Sequence, residues 1–204
     1  MLNIFSNQLQ ISMFTSFNKF VAKRVNLTEQ EIVAFNDVLV YKSFKKKEII
    51  LQPGMVCNFE AYVKKGLFRT YYINKNGHEI DLLFSTEDWW IGDLTSFSQQ
   101  VETKLFIQAL EDSEVLVINF QSKEKLFKKV PALERLFRLM VQKALETMMT
   151  RFVDTVSETA ESRYLNFIKK YPSIPLRVPQ HMIASYLGIT PEFLSKLRTR
   201  LSKK

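Results

Sequence analysis

The chain has 204 residues, 46% of them apolar, a single cysteine and a formal net charge of +8. That length and apolar content suit one large domain or two modest ones with true cores, and no stretch reaches the ~20 uninterrupted apolar residues of a membrane span. Cys57 alone excludes an internal disulfide or a four-cysteine cluster, and the N-terminus lacks a signal-peptide pattern, so a cytoplasmic protein with no membrane partner is expected.

Ile11 to Val25 reads as an amphipathic stretch carrying Phe14, Phe17 and Phe20. Thr28 and Glu31 have the spacing of a capping box, which predicts a short helix through about Asp37. From Val38 to Phe120 the pattern is strand-like. Seven candidate strands are Val38–Phe44, Glu48–Gln52, Glu60–Lys65, Leu67–Ile73, His78–Phe84, Leu105–Leu110 and Val115–Phe120. Pro53-Gly54, Lys65-Gly66 and Asn74-Lys-Asn-Gly77 are turn signals between them. Short strands at this spacing predict a compact β-barrel or jelly roll. Lys45 to Lys47 reads as a solvated turn.

From Pro131 to about Ser157 the pattern turns helical. Leu133, Phe137, Met140, Ala144, Met148, Phe152 and Thr155 recur every three or four residues over about seven turns. The stripe either packs on the barrel or forms a dimer seam, and its length favours the seam. Glu158 to Lys170 predicts one more helix, stopped by Tyr171-Pro172.

Val178 to Lys204 has the pattern of a helix-turn-helix. Ile183, Leu187, Ile189, Leu194 and Leu197 supply its apolar side, and Ala184 sits where two helices must approach closely. Gly188 suits the positive φ of the turn. Thr190 is a natural N-cap, Pro191 fits the first helical position, and Glu192 suits the positive end of the dipole. An ordinary helical hairpin shares this spacing, but the charge argues for DNA. Ala160 to Lys204 holds nine Lys/Arg against two Asp/Glu, nearly the whole net charge of the chain.

Other residues carry weaker signals. Cys57 follows Gly54 in a loop and reads as inert. His78 has no second His or Cys nearby, so no metal site is expected; His181, in the first motif helix, either touches a phosphate or lies on a solvated helix face. Trp89 and Trp90 either line the barrel cavity or pack on a neighbouring helix. There is no nucleophile–base set, Walker loop or paired-carboxylate site, so neither an enzyme nor a cofactor is expected.

Barrel, long helix and helix-turn-helix, in this order, resemble the Crp/Fnr superfamily of transcription regulators. The resemblance is densest in Lys47-Glu-Ile-Ile-Leu-Gln-Pro-Gly54, Val63-Lys-Lys-Gly-Leu-Phe-Arg69, Trp90-Ile-Gly-Asp-Leu94 and Val178 to Arg198. It looks closest to the short, Bacteroidetes-like regulators of that superfamily. It implies an α+β protein with a cyclic-nucleotide-binding-like barrel (1–130), a dimerisation helix (131–157) and a helix-turn-helix domain (158–204). It also implies a homodimer on double-stranded DNA, with RNA polymerase as a further partner. Leu133, Phe137, Met140, Ala144, Met148 and Phe152 would form the dimer interface.

The chain departs from the family in two places. Family members that bind cyclic nucleotides follow a Gly-Glu-Leu stretch with an arginine and a hydroxyl residue that grip the phosphate. Here Trp90, Gly92, Asp93, Leu94, Thr103 and Lys104 occupy the effector pocket, and a lysine cannot reproduce the planar arginine fork. Cyclic AMP is therefore not expected, and the effector is left unnamed. The family also continues into a β-hairpin wing beyond the recognition helix, whereas this sequence stops at Lys204, so a wingless type is expected.

The DNA roles follow from helix geometry. Thr190 opens the recognition helix. Glu192, Ser195, Lys196 and Thr199 should face the major groove, with Phe193, Leu194 and Leu197 turned inward. Glu192 can accept from cytosine and Lys196 can donate to guanine. Arg177, Gln180, Arg198, Arg200 and Lys203 suit phosphates. Two rival readings are a small-molecule-binding β-barrel enzyme with a basic tail and a regulatory protein-interaction module that never touches DNA. Mobility shift on DNA separates them from the first.

Overall fold

The computed structural model describes residues 13–202; Ile11 and Lys203 fall outside them. Residues 13–22 are helical (α1) and bury Phe17, Phe20 and Val21. Thr28 opens α2 (Glu29–Asp37) with the full capping box. Its hydroxyl oxygen accepts from the Glu31 amide at 3.3 Å, and the Glu31 carboxylate accepts from the Thr28 amide at 2.8 Å.

The strand region folds into β1 (Val40–Phe44), β2 (Ile49–Leu51), β3 (Phe59–Lys65), β4 (Phe68–Ile73), β5 (Glu79–Ser85), β6 (Trp90–Ile91), β7 (Phe106–Ala109) and β8 (Ser113–Asn119). These pair antiparallel in two four-stranded sheets, ordered β1-β8-β3-β6 and β2-β7-β4-β5. This is the double-sheet arrangement the turn spacing predicts. Gly66 makes the β3–β4 turn at φ +103°, and a Cβ there would meet the Ser113 Cα at 2.8 Å, so both the dihedral and the space exclude a side chain.

Period-two alternation decides which residues meet. Ala61, Val63, Val115 and Val117 point between the sheets and join Leu51, Cys57, Phe68, Ile91, Ile107 and Ala109 in the barrel core. Tyr62, Leu116 and Ile118 point the other way, where α1, α2 and later helices cover the first sheet.

Three short elements within residues 90–129 lie outside the sequence expectation. β6 is two residues long. α3 (Leu94–Gln99) is capped by Asp93, whose carboxylate accepts from the Thr95 and Ser96 amides. α4 (Phe120–Lys129) is capped by Asn119 and takes Phe120 from the expected last strand. Among residues 120–129 only Leu126 is fully buried, so α4 has no apolar stripe for periodicity to detect.

α5 (Ala132–Ser157) is the expected long helix, 26 residues, but it divides into two parts. Leu133, Leu136 and Phe137 are buried among Phe17, Phe35, Tyr62 and Ile118 of the same chain. Leu133 and Phe137 therefore belong to the apolar layer between the first sheet and the helices that cover it, which corrects their assignment to a dimer seam. Met140 packs at the edge of that core, and Ala144 is exposed. Beyond it, Val141, Leu145, Met148, Met149, Phe152, Val153 and Val156 are all exposed, Met148 at 67%, Phe152 at 65% and Val156 at 74%. Their spacing of three and four residues puts them on one face.

The chain ends in α6 (Ala160–Lys170), α7 (Ile174–Arg177), α8 (Gln180–Leu187) and α9 (Pro191–Leu201). This unit is not detached. Leu67, Phe84 and Leu110 of the barrel share one apolar cluster with Tyr164, Phe167, Ile183, Leu187 and Leu197.

Candidate nucleic-acid interface

Local sequence builds the α8–α9 pair as expected. Gly188 takes φ +67° at the end of α8, and the Ile189 amide donates back to the Ala184 carbonyl at 3.0 Å. Ala184 is fully buried between the helices, with Ile183, Leu187, Leu194 and Leu197 around it. Thr190 caps α9 by accepting from the Phe193 amide at 3.2 Å, and Pro191 follows. The helix therefore holds a fixed outward face.

Glu192, Ser195, Lys196 and Thr199 are all exposed on that face, and Arg198 beside them is exposed too. Phe193 departs from the expectation: it is 47% exposed rather than turned inward. It sits at the edge of the apolar stripe, about a sixth of a turn from Lys196, and the interior is already filled by Leu194 and Leu197. Arg200 is ion-paired with Glu161 of α6. Gln180, half-buried, begins α8.

Arg177 requires a larger correction. It stands at the end of α7 and makes four hydrogen bonds to barrel carboxylates: to Glu87 at 2.9 and 3.0 Å and to Glu111 at 3.0 and 2.7 Å. Four of its five N–H donors are taken by the two carboxylates, so it clamps the C-terminal unit to the barrel rather than standing free for a phosphate. Burial raises the Glu87 pKa, but the hydrogen bonds from Arg177 and two backbone amides outweigh it and hold Glu87 below the usual carboxylate range.

The outer face of the second sheet makes further polar contacts with α8. The Ser185 hydroxyl accepts from the Asp81 amide at 2.9 Å and donates to the Glu79 carbonyl at 3.1 Å. Under it, buried Arg69 reaches Gln108 at 2.9 Å, Glu79 at 2.6 Å and Asp81 at 3.4 Å. Burial pushes Asp81 up to about 6 although Arg69 pulls the other way. Arg151, from α5, donates to the carbonyls of Leu82 and Tyr186 and lies over the Tyr186 ring. Sequence reasoning missed Arg151, Asp81 and Ser185, because their partners are backbone groups or residues far away in the chain.

The expected effector residues do not converge on an open pocket. Thr103 donates to the Asp93 carboxylate at 2.6 Å and accepts from the Leu105 amide at 3.0 Å. Both Thr103 and Asp93 are buried, so the pair closes a loop. Lys104 and Leu94 point to solvent. Gly92 lies against the backbone of Phe59. Trp90 is on the outer side of the first sheet, against Phe17, Tyr62 and Phe137, which removes it from any cavity between the sheets. Phe97 and Cys57 occupy that interior instead. Cys57 donates to the Phe59 carbonyl, and burial raises its thiol pKa, so it is unreactive. His78 and His181 are exposed, and no group of three or more His, Cys, Asp or Glu among the described residues is placed to hold a metal.

Residues 41–130 match the family model described as cyclic nucleotide-binding domain. The anaerobic regulatory protein of Pasteurella multocida (strain Pm70) is 26% identical, over 87% of this chain and 68% of its own length. The regulatory protein HlyX of Actinobacillus pleuropneumoniae is also 26% identical, over 87% of this chain and 78% of its own. FixK2 from Bradyrhizobium japonicum has the same fold, with a TM-score of 0.72 at 20% identity, over 81% of this chain and 85% of that one. A CooA mutant from Carboxydothermus hydrogenoformans superposes at a TM-score of 0.67 and 23% identity, covering 87% and 82%. No helix among the described residues is long and apolar enough to cross a membrane.

Proposed function

We propose that this chain is a transcription regulator of the Crp/Fnr superfamily, a reading supported by its cyclic nucleotide-binding domain and its similarity to the anaerobic regulatory protein and HlyX, and that it works as a cytoplasmic homodimer reading a DNA palindrome with two copies of α9. The observation that carries this reading is the exposed, capped face of Glu192, Ser195, Lys196 and Thr199, within a segment of strong positive charge. Glu192 and Lys196 read base edges; Gln180, Arg198 and Arg200 meet phosphates, Arg200 after leaving Glu161. RNA polymerase is the further partner that the family implies.

Dimerisation supplies the spacing. Val141, Leu145, Met148, Phe152 and Val156 of one α5 pack against those of the second copy, which removes an exposed apolar stripe from water. The two recognition helices then lie about one DNA turn apart, ~34 Å. Residues 131–157 thus join a barrel domain (1–130) to a DNA-binding domain (158–204). The effector is unidentified. The closed Asp93–Thr103 pair argues against a cyclic phosphate at that loop.

The test is anisotropy on promoter duplexes against salt. Lys196→Ala should cost about 1–3 kcal/mol and relax preference at one base position. Arg200→Ala should weaken every duplex alike and make the salt slope shallower by about 1. No binding by the wild type, or unchanged preference in Lys196→Ala, would leave the enzyme and interaction-module readings standing.

A further inference from the structure

We infer that the cleft between α5, α6 and α8 is a binding site for a small phosphorylated metabolite. The cleft is about 230 Å³, enough for a compact phosphate ester, and Arg151, Arg163, Lys170, Asn166, Asp154 and Thr147 line it. Three cations face one carboxylate there. None of the three is within ion-pair distance of any carboxylate among the described residues.

Their hydrogen-bond partners are neutral, and the nearby Asp81 and Asp154 carboxylates, which act on Arg151 and Lys170, offset part of the charge without pairing with either. Arg151 bonds only to carbonyls, those of Leu82, Asp81 and Tyr186. Arg163 gives one guanidinium nitrogen to the carbonyls of Thr155 and Glu158, while its Nε is buried without an acceptor. Burial lowers the pKa of both Arg151 and Lys170, and Lys143 lowers Lys170 further. Partly desolvated cations in excess of the nearby counter-charge are unfavourable unless an anion joins them. A phosphate offers several acceptor oxygens and the matching charge, and guanidinium forks suit it.

The cleft stays open in the proposed dimer. At 100° per residue, Thr147, Arg151 and Asp154 lie on the side of α5 opposite Leu145, Met149 and Val156. A ligand there would touch the dimerisation helix and the DNA-binding unit together. It would therefore bias their relative position without entering the barrel.

Calorimetry on the whole chain with pyrophosphate, against chloride at matched ionic strength, tests the site. Saturable binding of one pyrophosphate per chain is expected. Arg163→Gln and Lys170→Gln should each weaken it about tenfold, whereas Lys196→Ala with Arg198→Ala, on the DNA face, should leave it unchanged. Lys170 is an exposed side chain in the last turn of α6, so its variant reports even where Arg163→Gln unfolds. No heat beyond the chloride control, equal affinity in the Lys170 variant, or loss in the DNA-face variant would each overturn the assignment, the last by showing an adventitious ion only on the DNA face.

Discussion

Arg177→Ala separates two roles for one arginine, barrel clamp and phosphate contact. The side chain makes four hydrogen bonds to two carboxylates. An exposed ion pair contributes ~0–1 kcal/mol, and bidentate geometry puts a pair near the upper end. Glu87 is 43% exposed and Glu111 33%, so solvent screens both, Glu87 more. The clamp is therefore worth about 1–1.5 kcal/mol in total. Urea denaturation of Arg177→Ala should show that loss near neutral pH. Because Arg177 holds Glu87 below its ordinary range, the Glu87 share is present above the unfolded carboxylate pKa and lost as pH falls through the depressed one. Arg177→Lys should recover little, because an ammonium cannot fork onto two carboxylates. On DNA, the salt slope of Arg177→Ala should match the wild type. Unchanged stability with a slope shallower by about 1 would place Arg177 on a phosphate and refute the clamp.

Met148→Glu or Phe152→Glu should turn a dimer into a monomer in sedimentation, since each puts a charge into the exposed stripe of α5; a wild-type monomer at micromolar concentration would sink the seam. Phe137→Ala should instead cost about 3–5 kcal/mol of chain stability, because that ring is buried within the chain itself. Calorimetry with millimolar cyclic AMP or cyclic GMP should show no saturable heat, Thr103 being committed to Asp93; micromolar, stoichiometric binding would mean the loop opens. Asp81, pushed up from 3.8 to about 6, binds protons more readily in the fold than unfolded, so it removes stability as pH rises from ~4 to ~6, by at most about 3 kcal/mol. Asp81→Asn should gain on the wild type across that window, and a flat difference in urea midpoints would refute the reasoning.

What was legible in the sequence was local. The Thr28 and Thr190 caps, the turn glycines and the α8–α9 spacing appear as expected, because their partners lie within four or five residues. The strands were readable because Pro-Gly and Asn-Gly signals punctuate them. The expected dimer stripe divides: Leu133 and Phe137 are covered by the chain's own residues, whereas Met148 and Phe152 are exposed. Leu133 and Phe137 repeat at the same interval as Met148 and Phe152, and periodicity cannot tell a face covered by the chain's own barrel from one left bare. Arg177 and Thr103 failed for a related reason: each has the chemistry for a ligand, but Glu87, Glu111 and Asp93 already satisfy it, and two of those partners lie 66 and 90 residues away. Trp90 sits beside Gly92 in sequence yet on the opposite side of the sheet from the barrel interior, a consequence of strand alternation in a two-residue strand too short to recognise.

α5 is a lever seated at its start in the helical layer of the barrel and tethered farther along by Arg151 to the Leu82 and Tyr186 carbonyls. Phe137 and its neighbours are the fulcrum, held in the barrel's helical layer. The twenty residues from Arg138 to Ser157 then form an arm of ~30 Å. A tilt of only ~5° at the fulcrum moves the tip by roughly 2.6 Å, close to the ~3.4 Å of one base-pair step. Two such arms, leaning in opposite directions about a shared axis, change the reach between their tips by about twice that. In the proposed dimer, half-site spacing would depend on the packing of a few rings at the far end of the molecule, so a small repacking around Phe17, Phe35 and Phe137 should take the pair of helices out of step with the groove.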